Sequence, residues 1–223
     1  MDQYLQATRF FDYDHPAVRD WTRRQLEGVA DDPIEQARAL YLSVRDQITY
    51  NPYIFSEDPQ TFSASHALQT EQTYCIPKAV LLGAAARSLG IPSRLGLADV
   101  KNHLSSERLI EWLQSDIFRM HGFIELYLDG QWVKATPAFN ASLCEAMGVD
   151  PLEFDGRQDS VFQEYTREGH AHMEYINDHG VFADLPHGFI VEGVRSAYGH
   201  LFGDDAPRPD ASTSLEDDVR SSR

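Results

Sequence analysis

The stretch Thr73-Tyr-Cys-Ile-Pro-Lys-Ala-Val-Leu-Leu-Gly-Ala-Ala-Ala-Arg87, followed by Ser88-Leu-Gly-Ile-Pro92, predicts a helix that opens on a cysteine. Pro77 falls in the first helical turn, where a missing N–H costs nothing. Lys78 to Leu89 are good helix formers with little β-branching. Gly90 then Ile91-Pro92 is a stop, because glycine takes the left-handed cap and proline cannot continue the helix. Gly83, Ala84, Ala85 and Ala86 carry so little bulk that neighbours can close in on this helix. At its positive end, unpaired N–H groups and the macrodipole favour thiolate over thiol and can hold an oxyanion, so Cys75 is a nucleophile candidate. The same residue also suits a plain role as a small core side chain.

Upstream, Pro16 to about Val29 predicts one helix and Asp31-Asp-Pro33 starts another. In the second, Ile34, Ala37, Leu40, Tyr41 and Val44 recur at helical spacing. Residues 51–72 read as a loop with a short helical piece at Ser65 to Leu68. They deliver the chain to Cys75, which makes Gln72 and Tyr74 candidates for substrate binding. Downstream, Ser93 to Val100 alternates like a strand. Ser105 to Leu113 reads as a short amphipathic helix, either a lid over a cleft or a plain surface helix.

Met120 to Phe139 is a hairpin. Asp129-Gly130 is a preferred two-residue turn and fixes the register: 128 faces 131, 126 faces 133, 125 faces 134 and 123 faces 136. Thr136 then shares a side of the sheet with Phe123 and is the diagonal neighbour of His121. A thiol nucleophile needs a base, and the base needs a group that fixes its tautomer. Cys75, His121 and Thr136 are the residues this order offers for those parts.

Two blocks, Tyr74 to Arg94 and His121-Gly-Phe-Ile-Glu-Leu-Tyr-Leu-Asp-Gly-Gln-Trp-Val-Lys-Ala-Thr-Pro137, resemble the transglutaminase-like superfamily of papain-like cysteine enzymes. Ala37 to Tyr50 is similar to the segment that leads into that family's core. The resemblance implies an α+β fold, with a nucleophile-bearing helix packed on an antiparallel β-sheet. It implies a cysteine that attacks a carboxamide or ester carbonyl, forms a thioester and passes the acyl group to an amine or water. Carried across, Cys75 is the nucleophile, its N–H one oxyanion donor, and His121 the base and acid. The family's third residue is an aspartate before a proline, and Thr136-Pro137 stands there instead. A hydroxyl can orient the ring but brings no charge to an imidazolium. Glu125, Asn140 or a C-terminal carboxylate are the other candidates for that task, and Glu125 is also a candidate for substrate binding.

The expected division is an N-terminal helical extension over 1–34, a core over 35–140, an extension packed on it over 141–202, and a disordered tail over 203–223. In the extension, 141–150 predicts a helix holding Cys144 as a structural thiol. One or two closing strands are expected around His172 to Leu185, joined by a turn at Asn177-Asp-His-Gly180. His170, His172, His179 and His187 lack the spacing of a metal site, so no metal or cofactor is expected. The 223 residues carry 42% apolar side chains, enough for a substantial core. A formal charge of -16, from 19 basic and 35 acidic residues, argues against nucleic acid or anionic membranes as partners. Two cysteines make no disulfide framework, and the start of the chain lacks signal-peptide features, so a cytoplasmic setting is expected. The expected partner is a peptide or protein substrate. Alternatives of different kinds are an inactive binding module that kept the fold, and an arylamine-type acetyl transferase.

Overall fold

The cysteine-led helix spans Cys75–Ser88, and every side chain from Cys75 to Arg87 is buried. A helix without a polar face belongs inside a core, and the rest of the chain is built around this one. Its end follows the expected chemistry. Gly90 takes a φ of 78°, and Ile91 N–H reaches back to Ala86 O at 3.0 Å, which satisfies carbonyls the helix leaves open. At Gly83 an added Cβ would lie 2.6 Å from Phe11 Cε1 and 2.7 Å from Ile124 Cδ1, so the small residues do admit close neighbours.

The computed structural model describes residues 1–162, 165–166, 168–203, 206–207, 209 and 213–221. In chain order the elements begin with α1 (Pro16–Gln25), α2 (Pro33–Gln47), β1 (Thr49–Tyr50), α3 (Ala64–Ala67) and β2 (Gln72–Thr73). Next come the central helix α4 (Cys75–Ser88), β3 (Ser93–Asn102), α5 (Glu107–Leu113), β4 (Ile117–Leu128) and β5 (Gln131–Ala135). The chain closes with α6 (Ala141–Met147), β6 (Met173–Phe182), α7 (His187–Ala197) and α8 (Leu215–Ser221). Strands β5-β4-β3-β6 form an antiparallel sheet in that order, and α4 packs on β3 and β4. Parallel pairing of β1 with β2 sets the entry to α4 beside the end of α2.

The hairpin has the register read from its turn. Leu128 pairs with Gln131, Leu126 with Val133 and Glu125 with Lys134, and both Asp129 and Gly130 take positive φ. Two expectations need correction. The turn expected at Asn177 to Gly180 is absorbed into one strand, β6, because bulges against β3 accommodate the turn-forming residues without reversing the chain. Residues 187–197 form a helix, α7, that buries Ile190 and Val194.

The expected disordered tail is the second correction. Residues 204, 205, 208, 210–212, 222 and 223 lie outside the described residues, but α8 forms and buries Leu215 and Val219, one turn apart. Tyr53 Oη donates to Asp218 at 2.6 Å, Arg108 pairs with the same carboxylate at 3.1 Å, and Asn51 Nδ2 donates to Thr213 O at 2.8 Å. An acidic composition reads as disorder only while its charges lack partners. Among the described residues no helix is long and apolar enough to cross a membrane.

Candidate active site

Cys75 is the first residue of α4, and among the described residues no side chain caps that helix end. The open N–H groups are therefore free to face the thiol. Gly122 on β4 supplies another, donating its N–H to Cys75 Sγ at 3.4 Å. This contact needs glycine: a Cβ there would meet Ile76 Cα at 3.0 Å and Ile76 Cγ1 at 2.8 Å. His121, the residue before it, is thereby carried to the mouth of α4. Both Cys75 and His121 line one cavity of about 550 Å³, together with Tyr50, Tyr74 and Tyr198.

Burial governs the electrostatics. It pushes the Cys75 thiol up to about 11, against the N–H groups of Gly122, Ile76 and Cys75 itself and the Lys78 charge, which pull it down. It pushes His121 down to about 3. The resting pair is thus neutral thiol and neutral imidazole. The Tyr50 and Tyr74 phenols are held well above their ordinary value, first by burial and then by the thiolate charge that Cys75 would carry. Tyr198 is pushed up to about 12 by burial, and its hydroxyl accepts Arg119 N–H at 2.9 Å.

The remaining residues read from the sequence divide. Tyr74 lines the cavity, and its hydroxyl is buried without a partner among the described residues. Thr136 sits just past β5, one position beyond the Ile124–Ala135 pair, as the register requires. Its Oγ1 and the Nε2 of His121 are both buried and do not hydrogen-bond to each other; Thr136 lies instead beside the Tyr175 hydroxyl, and His121 Nε2 has no partner among the described residues. Gln72 and Glu125 stay away from the cavity: Gln72 Oε1 accepts from Asn51 at 2.9 Å, and Glu125 is paired with Arg94 at 2.6 Å across β3 and β4. Asn140 Oδ1 is occupied by Tyr50 N–H at 2.9 Å. Helix α5 brings Trp112 and Leu113 to the cavity wall.

Some site residues escaped the sequence. Gly122 had a readable signal, since a glycine inside a strand marks close approach of another backbone. Lys78 looked like an ordinary helix former, yet it is fully buried and donates to Arg45 O and Ile48 O, tying α4 to the end of α2. Among the described residues no group of three His, Cys, Asp or Glu side chains is arranged to hold a metal ion.

A sequence profile described as the transglutaminase-like superfamily matches residues 19–137, more than half of the chain. The chain belongs to the transglutaminase-like superfamily. The match runs from within α1 through β5 and takes in Cys75, His121 and Thr136, whereas α6, β6, α7 and α8 lie beyond it. No curated protein matches the chain. Among solved structures it is similar to a candidate cysteine protease from Cytophaga hutchinsonii, at 17% identity and a TM-score of 0.46. That similarity covers 60% of this chain and 40% of the other. It is also similar to a candidate protease from Parabacteroides distasonis, at 12% identity and a TM-score of 0.39, over 60% of this chain and 24% of the other. The chain thus spans less than half the length of either structure.

Proposed function

We propose that this transglutaminase-like protein performs cysteine-dependent hydrolysis or acyl transfer on an amide of a peptide or a carboxamide side chain. The observation that carries the reading is the hydrogen bond from Gly122 N–H to Cys75 Sγ, which joins the histidine strand to the cysteine helix at one cavity. In the proposed reaction Sγ bonds to the carbonyl carbon as its proton passes to His121. The amine then leaves with that proton, giving a thioester. Water, or an amine in the transfer mode, attacks the thioester, passes a proton through His121 and releases Cys75 as the thiol. Because the resting pair is neutral, proton transfer accompanies attack and no preformed ion pair is required. The Cys75 N–H at the head of α4 is one donor for the developing oxyanion. Thr136 Oγ1 is the acceptor offered to the His121 ring N–H during the reaction, a contact the resting structure does not make.

Among the described residues the cavity has two charged side chains, both matched elsewhere, Glu57 with Arg195 at 2.7 Å and Arg119 with Asp99 at 2.8 Å, and most of the described wall is aromatic or aliphatic. An uncharged, apolar group beside the reacting amide suits such a wall. Two free, buried cysteines suit a reducing, cytoplasmic setting.

The test is intact-mass detection of an acyl adduct on Cys75 after incubation with a peptide-amide library. An adduct that Cys75→Ala and His121→Ala both lose supports the reading. Turnover that survives Cys75→Ala would sink it. A second reading, a binding module without catalysis, is favoured by His121 Nε2, which has no partner among the described residues, and by threonine at the aspartate position. Peptide binding with no adduct in the wild type would select it.

A further inference from the structure

His121 is preceded by an irregularity that the catalytic reading does not use. Ala98 of β3 pairs with His121 and Val100 pairs with Phe118. Between those pairs β3 has one residue, Asp99, while β4 has two, Arg119 and Met120. That is a β-bulge on β4 ending immediately before the histidine, and a bulge re-aims the side chains that follow it. Met120 takes a φ of 58°, a left-handed conformation that a non-glycine residue holds only when its surroundings impose it.

Asp99 supplies that imposition. Its Oδ1 accepts Met120 N–H at 3.2 Å, and its Oδ2 accepts the Arg119 guanidinium at 2.8 Å. On the opposite edge of β3, Leu97 pairs with Gly180 and Ala98 with Asp178, which leaves His179 as an extra residue on β6. That extra residue turns inward and places Nε2 at 2.8 Å from Asp99 Oδ1. Asn177 Nδ2 lies 3.4 Å from the His179 Nδ1, which suits the tautomer that carries its proton on Nε2 and donates to Asp99. Two bulges, one on each neighbouring strand, therefore converge on one carboxylate that is 1% exposed. Burial alone would push this carboxyl up. Hydrogen bonds from His179, Arg119 and Met120 N–H outweigh it and hold Asp99 ionised below the usual carboxylate range.

The segment is fixed on its other sides as well. Tyr198 of the region after α7 accepts Arg119 N–H and donates to Ile117 O. Met120's side chain lies where a Cβ on Gly193 of α7 would be, 2.1 Å from its Cε.

We propose that Asp99 is a positioning residue for His121: its carboxylate, steadied by Arg119 and His179, holds the left-handed turn at Met120 that aims the imidazole at the Cys75 cavity. The proposal rests on the reading that His121 serves Cys75, and it assigns the extension beyond the family match a part in that site, because His179 and Tyr198 both come from it.

The experiment compares full-length wild type with Asp99→Asn, Met120→Gly and the double variant, using two readouts. The first is the ¹H–¹⁵N spectrum of the His121 ring, assigned by loss of its signals in His121→Gln. The second is the ratio of Cys75 iodoacetamide alkylation rates with and without His121→Ala. Asp99→Asn keeps a neutral acceptor of the same shape and loses the charge. The expected result is that Asp99→Asn moves the His121 ring signals and lowers the rate ratio about tenfold. Adding Met120→Gly, which takes a positive φ without strain, brings both back toward the Met120→Gly values. A folded Asp99→Asn protein with unchanged His121 signals overturns the proposal, and so does a double variant that shows no recovery. If Asp99→Asn fails to give a cooperative thermal transition, His179→Ala, which removes one donor from the same oxygen, takes its place with the same expectations. Should the wild-type rate ratio be one, the catalytic reading falls, and the ring signals decide the positioning claim independently.

Discussion

Cys75 and Cys144 invite direct comparison. Both are buried free thiols, both are pushed by burial to about 11, and each shares a cavity with a buried histidine. Their surroundings differ. Cys75 heads a 14-residue helix, accepts an N–H from the neighbouring strand and faces a cavity of about 550 Å³. Cys144 lies inside a 7-residue helix, has Phe139 O at 4.0 Å, and shares with His172 a void of about 10 Å³. A void that size holds no more than about one water. The acidity of a resting thiol therefore does not separate the two sites. Open N–H groups at a helix end and room for a substrate do.

The largest expected effect breaks the comparison outright: Cys75→Ala abolishes adduct formation with amide substrates, whereas Cys144→Ser leaves it within about twofold, both read by intact mass. Next, Gly122→Ala forces β4 away from the Ile76 backbone. It lowers Cys75 alkylation at least about tenfold and costs about 1–3 kcal/mol of stability in denaturant melts. Cys144 alkylation should not move, and equal loss at both thiols would mean general loosening.

A third test uses the histidines. His121 and His172 have folded values of about 3 and about 4, below the ordinary 6.5, so each stays neutral in the fold while the unfolded chain takes up a proton. Stability is then full above about pH 6.5 and falls as pH drops toward those folded values, by about 1.4 kcal/mol per pH unit for each histidine. His121→Gln and His172→Gln should each flatten the slope between about pH 6 and pH 4 by that amount, measured by urea unfolding.

The fourth test sharpens the difference between the sites through Thr136. Its hydroxyl is buried, makes no hydrogen bond to His121 and has the Tyr175 hydroxyl beside it, so Thr136→Val changes stability by about 1 kcal/mol or less. Thr136→Asp places a carboxylate beside His121 and should raise that ring's titration point in NMR while leaving His172 unchanged. The smallest effect on the Cys75 site belongs to the tail. Val219→Ala trims a buried side chain of α8, costs about 1–2 kcal/mol and leaves Cys75 chemistry intact.

Much of the half that carries Cys75 and His121 was legible because its signals are local. Cys75 to Pro92 carries its own start, composition and stop, and Asp129-Gly130 fixes which residues of the hairpin face each other. Thr136 could be placed beside the histidine strand by counting from that turn. The C-terminal part resisted for a matching reason. Asn177 to Gly180 has the residues of a turn, and only pairing with β3 keeps it extended, with His179 as the extra residue. Helix α8 is acidic and short, and its docking depends on Tyr53 and Arg108, which lie more than a hundred residues away.

By itself, the sequence determined the buried cysteine helix, the register of the hairpin and the family, because each depends on backbone preferences and spacing within a short window. The tertiary structure alone decided which polar groups meet. It brought Gly122 N–H to the thiol, sent Gln72 and Glu125 to other partners, set Thr136 beside Tyr175, left His121 Nε2 without a partner among the described residues, and gathered Arg119, Met120 and His179 onto Asp99. Hydrogen bonds and desolvation act over a few ångströms, and residues that far apart in the chain acquire such distances only when the sheet and its bulges close around the central helix.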